Sequence, residues 1–192
     1  MPLSKFCTIF VSWYGTRGRH ALKQNVMIRE ISTDADIRKI ADMASPIWHE
    51  AFASIISKEQ IEYMVDKFQS YKAIKDQIDN HGYRYFILSE NGTDAGYCGV
   101  QVAEDNTLYL SKMYLKKEFR GHGLFREMTV YLTELCRCEG IGKIWLTVNK
   151  NNDGAIAAYQ ATGYSNVRSQ VADIGSGYVM DDYVFELAVQ GI

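Results

Sequence analysis

Leu108-Tyr-Leu-Ser-Lys-Met-Tyr-Leu115 alternates as a strand does and runs, through Lys-Lys-Glu-Phe-Arg120-Gly-His-Gly123, straight into a helical pattern opening at Leu124-Phe-Arg126. This order leaves the first N–H groups of a helix pointing out of a turn. Those donors, together with the helix dipole, favour a phosphate. Leu124, Met128, Tyr131, Leu132 and Leu135 lie on one helical face, and Gly140 is placed to cap the end. The segment therefore predicts a sheet with a helix packed on it and an anion site at their junction. Alone, Arg120-Gly-His-Gly123 does not choose a ligand. It lacks the Gly-Lys-Ser/Thr end of a P-loop, is not a full Gly-x-Gly-x-x-Gly, and reads equally as an ordinary strand–helix turn.

The elements on either side narrow the fold. Asn25 to Ile31 patterns as a strand, and Thr33-Asp34 caps a helix carrying Ile37, Ile40, Ala41 and Ala44. Pro46 should interrupt or restart that helix, which continues through Ile47 to Phe52. Ser57-Lys-Glu-Gln60 is a capping box for a second helix, and a third covers Tyr71 to about Ile78. The period then changes. Tyr83 to Leu88 and Ala95 to Val102 flank the hairpin signal Glu90-Asn91-Gly92, and Leu108 to Leu115 is the third strand of that meander. After the glycine turn and its helix come a strand at Lys143–Val148, a short helix capped by Asn152 and closed by Gly163, and two strands between Val167 and Ala188 around Ile174-Gly-Ser-Gly177. A meander followed by β-α-β-α makes a mixed sheet with helices on it. A Rossmann-type nucleotide site is disfavoured, because the glycine turn does not follow the first strand of a β-α-β unit.

The 192 residues are 47% hydrophobic, enough for one domain with its own core. A net charge of −2 without any basic block argues against nucleic acid. No apolar run approaches the ~20 residues of a membrane helix. Cys7 and Cys98 are isolated, and Cys136-x-Cys138 on a helix points its thiols in different directions, so no metal is expected. Such cysteine usage fits a reducing cytoplasm. Residues 1–26 are read as an N-terminal extension of uncertain role and 27–192 as the working domain.

A second constellation is Asn152-Asp-Gly-Ala155-Ile-Ala-Ala-Tyr159-Gln-Ala-Thr-Gly163-Tyr164. Ala155 and Tyr159 share a helical face. Alone, Tyr159 reads as a packing residue. With the glycine turn, the chain resembles the GNAT superfamily of acetyl-CoA-dependent N-acetyltransferases. Arg120 and Gly123 match the family's Gln/Arg-x-x-Gly-x-Gly/Ala turn, while Phe125 stands where glycine or alanine is usual. Asn152, Ala155, Tyr159, Gly163 and Tyr164 match the later pattern throughout. The resemblance covers about Met27 to Val189. A narrower similarity to polyamine-acetyltransferase-like members rests on Ile47-Trp-His-Glu-Ala-Phe52 and Val179-Met-Asp-Asp-Tyr-Val184.

The resemblance implies an α/β (α+β) fold: a mixed, mainly antiparallel seven-stranded sheet flanked by helices, with a V-shaped opening between strands 4 and 5. It implies acetyl-CoA as cosubstrate and a small-molecule amine, such as a polyamine, as acceptor, with direct attack in a ternary complex. Met113, Tyr114 and Leu115 would give main-chain contacts to the pantetheine and acetyl carbonyl. The turn Arg120, Gly121, His122, Gly123, Leu124, Phe125 and Arg126 would hold the pyrophosphate. Asn152 would contact the pantetheine or only cap its helix, and Tyr159 would protonate the leaving thiolate. The base is not readable. Tyr109 stands where some members carry a glutamate, and Glu50, His49 and Asp181 are further candidates. Glu50, Asp181 and Asp182 would suit a cationic acceptor. The alternatives are acetylation of a peptide or protein amine, and a non-catalytic acyl-CoA-binding module, which Phe125 and the missing base favour. The aromatic-rich final strands could form a homodimer surface.

Overall fold

The structure is a computed structural model and describes residues 25–189. The reading of residues 1–26 as an extension therefore lies almost wholly outside the described residues, as do Cys7 and His20. Among the described residues seven strands form one sheet in the order β1-β2-β3-β4-β5-β7-β6. They are β1 (Val26–Glu30), β2 (Tyr83–Glu90), β3 (Thr93–Val102), β4 (Leu108–Leu115), β5 (Lys143–Asn149), β6 (Ser165–Gly175) and β7 (Tyr178–Ala188). Each neighbouring pair is antiparallel except β4 and β5. The helices are α1 (Asp34–Phe52), α2 (Lys58–Gln69), α3 (Tyr71–His81), α4 (Leu124–Glu139) and α5 (Asp153–Ala161), with a 3₁₀ turn at Lys117–Phe119.

Local sequence explains most boundaries. The Thr33, Ser57, Ser70 and Asn152 side chains accept bonds from backbone N–H groups in the first turns of α1, α2, α3 and α5. Each such cap stabilises its helix by ~1 kcal/mol. Asn91 (φ 51°) and Gly92 (φ 78°) take the left-handed conformations that a tight hairpin requires. Pro46 differs from expectation: α1 runs through it unbroken. Pro46 and Asp42, whose carbonyl loses its helical donor, are both solvent-exposed, so that carbonyl is not sealed in the core without a partner.

The sheet separates two cores. On one face, α4 and α5 cover Phe86, Leu88, Cys98, Val100, Leu108 and Leu146. On the other, α1, α2 and α3 cover Tyr85, Ile87, Tyr97 and Met180. Cys136 is buried in the first core and Cys138 is exposed, as an i,i+2 pair on a helix should be. The aromatic rings of the last strands are used within the protomer: Tyr178 packs on Tyr63 at 5.3 Å and Phe185 is fully buried. Val167, Val171 and Val179 are what those strands leave exposed.

Strands β3 and β4 approach closely at Gly96, where an added Cβ would sit 2.2 Å from the Tyr114 carbonyl oxygen. Backbone cannot yield as a side chain does. Gly96→Ala is expected to destabilise the fold by ~1–3 kcal/mol or more in urea titration. An unchanged midpoint would contradict the tight β3–β4 packing.

Candidate active site

The opening is made by a parallel pair that stops pairing. Strands β4 and β5 are in register only at Leu108↔Ile144 and Tyr109↔Trp145. Beyond Tyr109 the edge of β4 that faces β5 has no ladder partner on that strand. Each strand is held firmly on its outer side. β4 pairs with β3 as far as Leu115, and β5 pairs with β7 as far as Asn149. A cavity of about 1150 Å³ occupies the gap and reaches both faces of the sheet.

A β-bulge decides which side chains of β4 enter it. Tyr114 lies opposite Tyr97, Lys112 opposite Gly99, Leu110 opposite Val100 and Tyr109 opposite Gln101, so Ser111 is the extra residue. Tyr97, Gly99 and Gln101 alternate along β3 and share a face. Their partners Tyr114, Lys112 and Tyr109 therefore share it too, on the side of α1, α2 and α3. Tyr109 stacks on Trp145 across the end of the V, at 4.2 Å between ring centroids. On β5, Trp145, Thr147 and Asn149 alternate onto one face, opposite Glu186, Val184 and Asp182. Asp182 is thus delivered to the same face as Tyr109 and Lys112.

The glycine turn forms the other end of the cavity. Gly123 caps α4 with φ 82°, a conformation that costs a side-chain-bearing residue about 1 kcal/mol or more. Arg120, Gly121, Gly123, Leu124 and Phe125 lie on the cavity wall, as do Met113, Tyr114, Leu115, Asn152 and Tyr159. His122 and Arg126 are exposed beside the wall rather than on it. The His122 ring lies 2.7 Å from Glu90. Arg120 bonds the Glu50 carboxylate at 2.5 Å and the Leu115 carbonyl at 3.1 and 3.2 Å, tying α1 to the end of β4. Asn152 accepts the Ala155 N–H at 3.2 Å and so caps α5 while also facing the cavity.

Tyr159 is nearly buried among rings, with Phe125 edge-on at 4.9 Å, Tyr164 at 5.4 Å and Phe185 at 6.2 Å. Burial raises its pKa well above that of an ordinary phenol, so it keeps its proton throughout the neutral range. Phe125 fills the space beside Tyr159 and braces its ring, which glycine or alanine could not do. Tyr159 belongs to the core on the α4 and α5 side, Asp182 lies on the opposite sheet face, and both line the cavity together with Tyr114.

The other charged candidates separate by position. His49 and Asp181 are off the wall; His49 bonds the Ser45 carbonyl and Asp181 pairs with Lys150 at 2.5 Å. Glu50 is on the wall but engaged by Arg120. Tyr109 is a half-buried phenol whose pKa is raised by desolvation. Asp182 remains. It lines the cavity, is 6% exposed, and its Oδ1 is buried without a hydrogen-bond partner among the described residues. Burial and, secondarily, neighbouring Asp181 push its pKa up to about 6.

Lys112 also faces the cavity and is 5% exposed. Nothing in the glycine-turn or Tyr159 patterns pointed to it, because the Ser111 bulge alone turns it inward. Burial pulls its pKa down to about 7. Between pH 7 and 10 the unfolded chain therefore holds a proton that the folded chain has released, and stability rises with pH in that window. The contribution is at most ~1.4 kcal/mol per pH unit. Lys112→Met is expected to flatten this slope in urea titrations at pH 7 and pH 9. A wild-type slope retained in the variant would assign it elsewhere. Among the described residues no cluster of three His, Cys, Asp or Glu side chains could hold a metal, and no helix is long and apolar enough to cross a membrane.

Comparison with known proteins agrees with this geometry. The sequence profile of the Acetyltransferase (GNAT) family matches residues 43–164. The ribosomal protein bS18-alanine N-acetyltransferase of Escherichia coli K12 is 31% identical over 93 residues, 47% of this chain and 62% of that protein. The chain thus matches somewhat under two thirds of the length of that curated relative. In structure, the PaiA N-acetyltransferase of Thermoplasma acidophilum, solved with coenzyme A, superposes with a TM-score of 0.69 at 20% identity. That match covers 85% of this chain and 98% of the other. The E. coli ribosomal-protein-S18-alanine enzyme superposes with a TM-score of 0.61 at 20% identity, over 87% and 96%. These structural likenesses speak to the fold: the mixed seven-stranded sheet with its parallel β4–β5 pair.

Proposed function

Because the chain belongs to the GNAT acetyltransferase family, we propose that it transfers an acetyl group from acetyl-CoA to a primary amine within a ternary complex. The observation that carries this reading is the unpaired edge of β4 beyond Tyr109, beside a buried protonated phenol and opposite a buried carboxylate whose Oδ1 has no hydrogen-bond partner among the described residues. We assign the acetyltransferase unit to residues 27–192.

The residues present fit the cosubstrate. An unpaired strand edge offers backbone N–H and C=O groups to the amide-rich pantetheine arm, as a missing strand would. Met113, Tyr114 and Leu115 lie along it. The turn from Arg120 to Arg126 would hold the pyrophosphate through backbone N–H groups at the start of α4, with Arg126 and His122 at the solvent side. Phe125 leaves those donors intact, since they belong to the backbone. The bound thioester supplies an activated acetyl group with a thiolate leaving group. An N–H on β4 polarises the carbonyl oxygen, and Tyr159 gives its proton to the departing sulfur. Asp182 receives the acceptor's amine and takes up its proton, directly or through water. Holding the partners together supplies up to ~7–11 kcal/mol of the barrier reduction.

The E. coli relative named for ribosomal protein bS18 raises the alternative of a peptide N-terminus as acceptor. Against an open peptide groove stands the strap over the acceptor side. Tyr63 and Lys67 of α2 bond the Ile174 carbonyl at 2.7 and 2.6 Å, and the Gln60 side chain reaches the Val179 carbonyl at 3.4 Å. The test is thiol release from acetyl-CoA over a panel of small amines and short peptides. Amine-dependent release supports the reading. Coenzyme A binding with no release on any amine would turn it into an acyl-CoA-binding module.

A further inference from the structure

We infer that Lys112 is a carboxylate-binding subsite, so that the acceptor of the proposed transfer is an amine that also carries a carboxylate. This rests on the acetyl-transfer reading for the acceptor's amine end, and on Lys112 itself for the other end.

Lys112 is a basic side chain built into a wall without an anion, and a carboxylate arriving there would hold it in its protonated form. Among the described residues it forms no salt bridge. Its nitrogen donates to the Gln77 Oε1 at 2.8 Å and to the Ser111 Oγ at 3.3 Å, both neutral, so none of its hydrogen-bond partners is an anion. The rings of Tyr83 and Tyr85 sit 4.8 and 5.4 Å from the nitrogen. A buried charge is ordinarily paired; here the pair is incomplete.

The placement is specified rather than accidental. Gly99 lies opposite Lys112, and a Cβ there would come within 3.3 Å of the Lys112 Cδ and 3.0 Å of the Tyr85 ring. The glycine thus leaves the trough in which the lysine stem lies, and the Ser111 bulge turns that stem toward it. Gln77 is itself fixed, because its Oε1 also accepts from the Tyr85 hydroxyl at 2.6 Å. An anion reaching the nitrogen would meet an amine held in one position and would favour its protonated form.

The same sheet face carries Asp182 across the opening, with Tyr109 between. Tyr83, Tyr109, Lys112 and Asp182 all line the same cavity. An acceptor with its amine at Asp182 and its carboxylate at Lys112 spans one continuous wall. A polycation does not fit, since its distal ammonium would be driven against Lys112. A charge-assisted bond at this position is worth about 10- to 100-fold in affinity.

The probes are matched pairs differing only in the carboxylate: N-acetylated amino acids of several chain lengths and their primary amides. Each is titrated by calorimetry into the full chain saturated with coenzyme A. At least one acid should bind tenfold or more tightly than its amide. Lys112→Met should abolish that difference while leaving amide binding in place. Gln77→Glu should also abolish it, by placing a carboxylate against the ammonium, and it keeps the proposal testable if the first variant does not fold. Equal binding of acids and amides, no binding of either, or a preference that survives both variants would overturn the subsite. Amine turnover without carboxylate preference removes the subsite and leaves acetyl transfer standing. Carboxylate preference without thiol release on any amine does the reverse.

Discussion

Tyr159→Phe is expected to lower kcat by about 10²–10⁴-fold and to leave the acetyl-CoA Kd within a few-fold. The phenyl ring preserves the packing against Phe125, Tyr164 and Phe185, so the aromatic cluster and the fold stay as they are. Only the proton is lost. Burial keeps that proton on the phenol at every working pH, so the acid is always loaded. A free thiol has a pKa of about 8.5, and its thiolate becomes more basic as it leaves in a dry site, which favours transfer from even a weakened phenol. Steady-state kinetics with a fixed amine gives kcat, and calorimetry gives the Kd. Turnover equal to wild type would remove Tyr159 from the acid role.

Asp182→Asn should be nearly as damaging, but on the amine side. We expect kcat/KM for the amine to fall about 10²-fold or more, with acetyl-CoA binding intact. The pH profile carries the sign. Asp182 works as a carboxylate, its pKa stands at about 6, and wild-type activity should fall as pH drops through that value. The asparagine variant should lose this acidic limb, because the amide does not titrate. A limb that persists in the variant would assign the titration to another group. Asparagine also keeps the size of the side chain, so an activity loss with an unchanged urea midpoint separates chemistry from folding.

The parts of this site that could be read in the sequence are those set by neighbours in the chain. The glycine turn, the caps at Ser57 and Asn152, the Asn91-Gly92 hairpin and Tyr159 one helical turn past Ala155 all depend on spacings of a few residues. What escaped depends on pairing between distant strands. Lys112 enters the cavity because a single bulged residue, Ser111, reverses the alternation of β4. Asp182 is among the acidic residues that the sequence offers to a cationic acceptor, but that it and not Asp181 enters the cavity follows from β7 lying beside β5 in the sheet, which no local pattern declares. Arg120 shows the opposite case. Its charge suggested phosphate binding, but the folded chain directs its guanidinium to Glu50, seventy positions away, and to the Leu115 carbonyl. On the proposed reading the turn binds its anion through backbone groups, which the glycines and the start of α4 provide. Pro46 is similar in kind: its effect on α1 was decided by whether the orphaned carbonyl met water or protein.

The central claim is that the unpaired edge of β4 and the glycine turn together receive acetyl-CoA. Amide hydrogen exchange, followed by mass spectrometry with and without coenzyme A, reads those backbone groups directly. Exchange should slow in peptides covering Met113–Leu115 and Gly121–Arg126 and stay unchanged along β1 and the outer edge of β6. Protection confined to other segments, or no protection at saturating coenzyme A, would contradict the account.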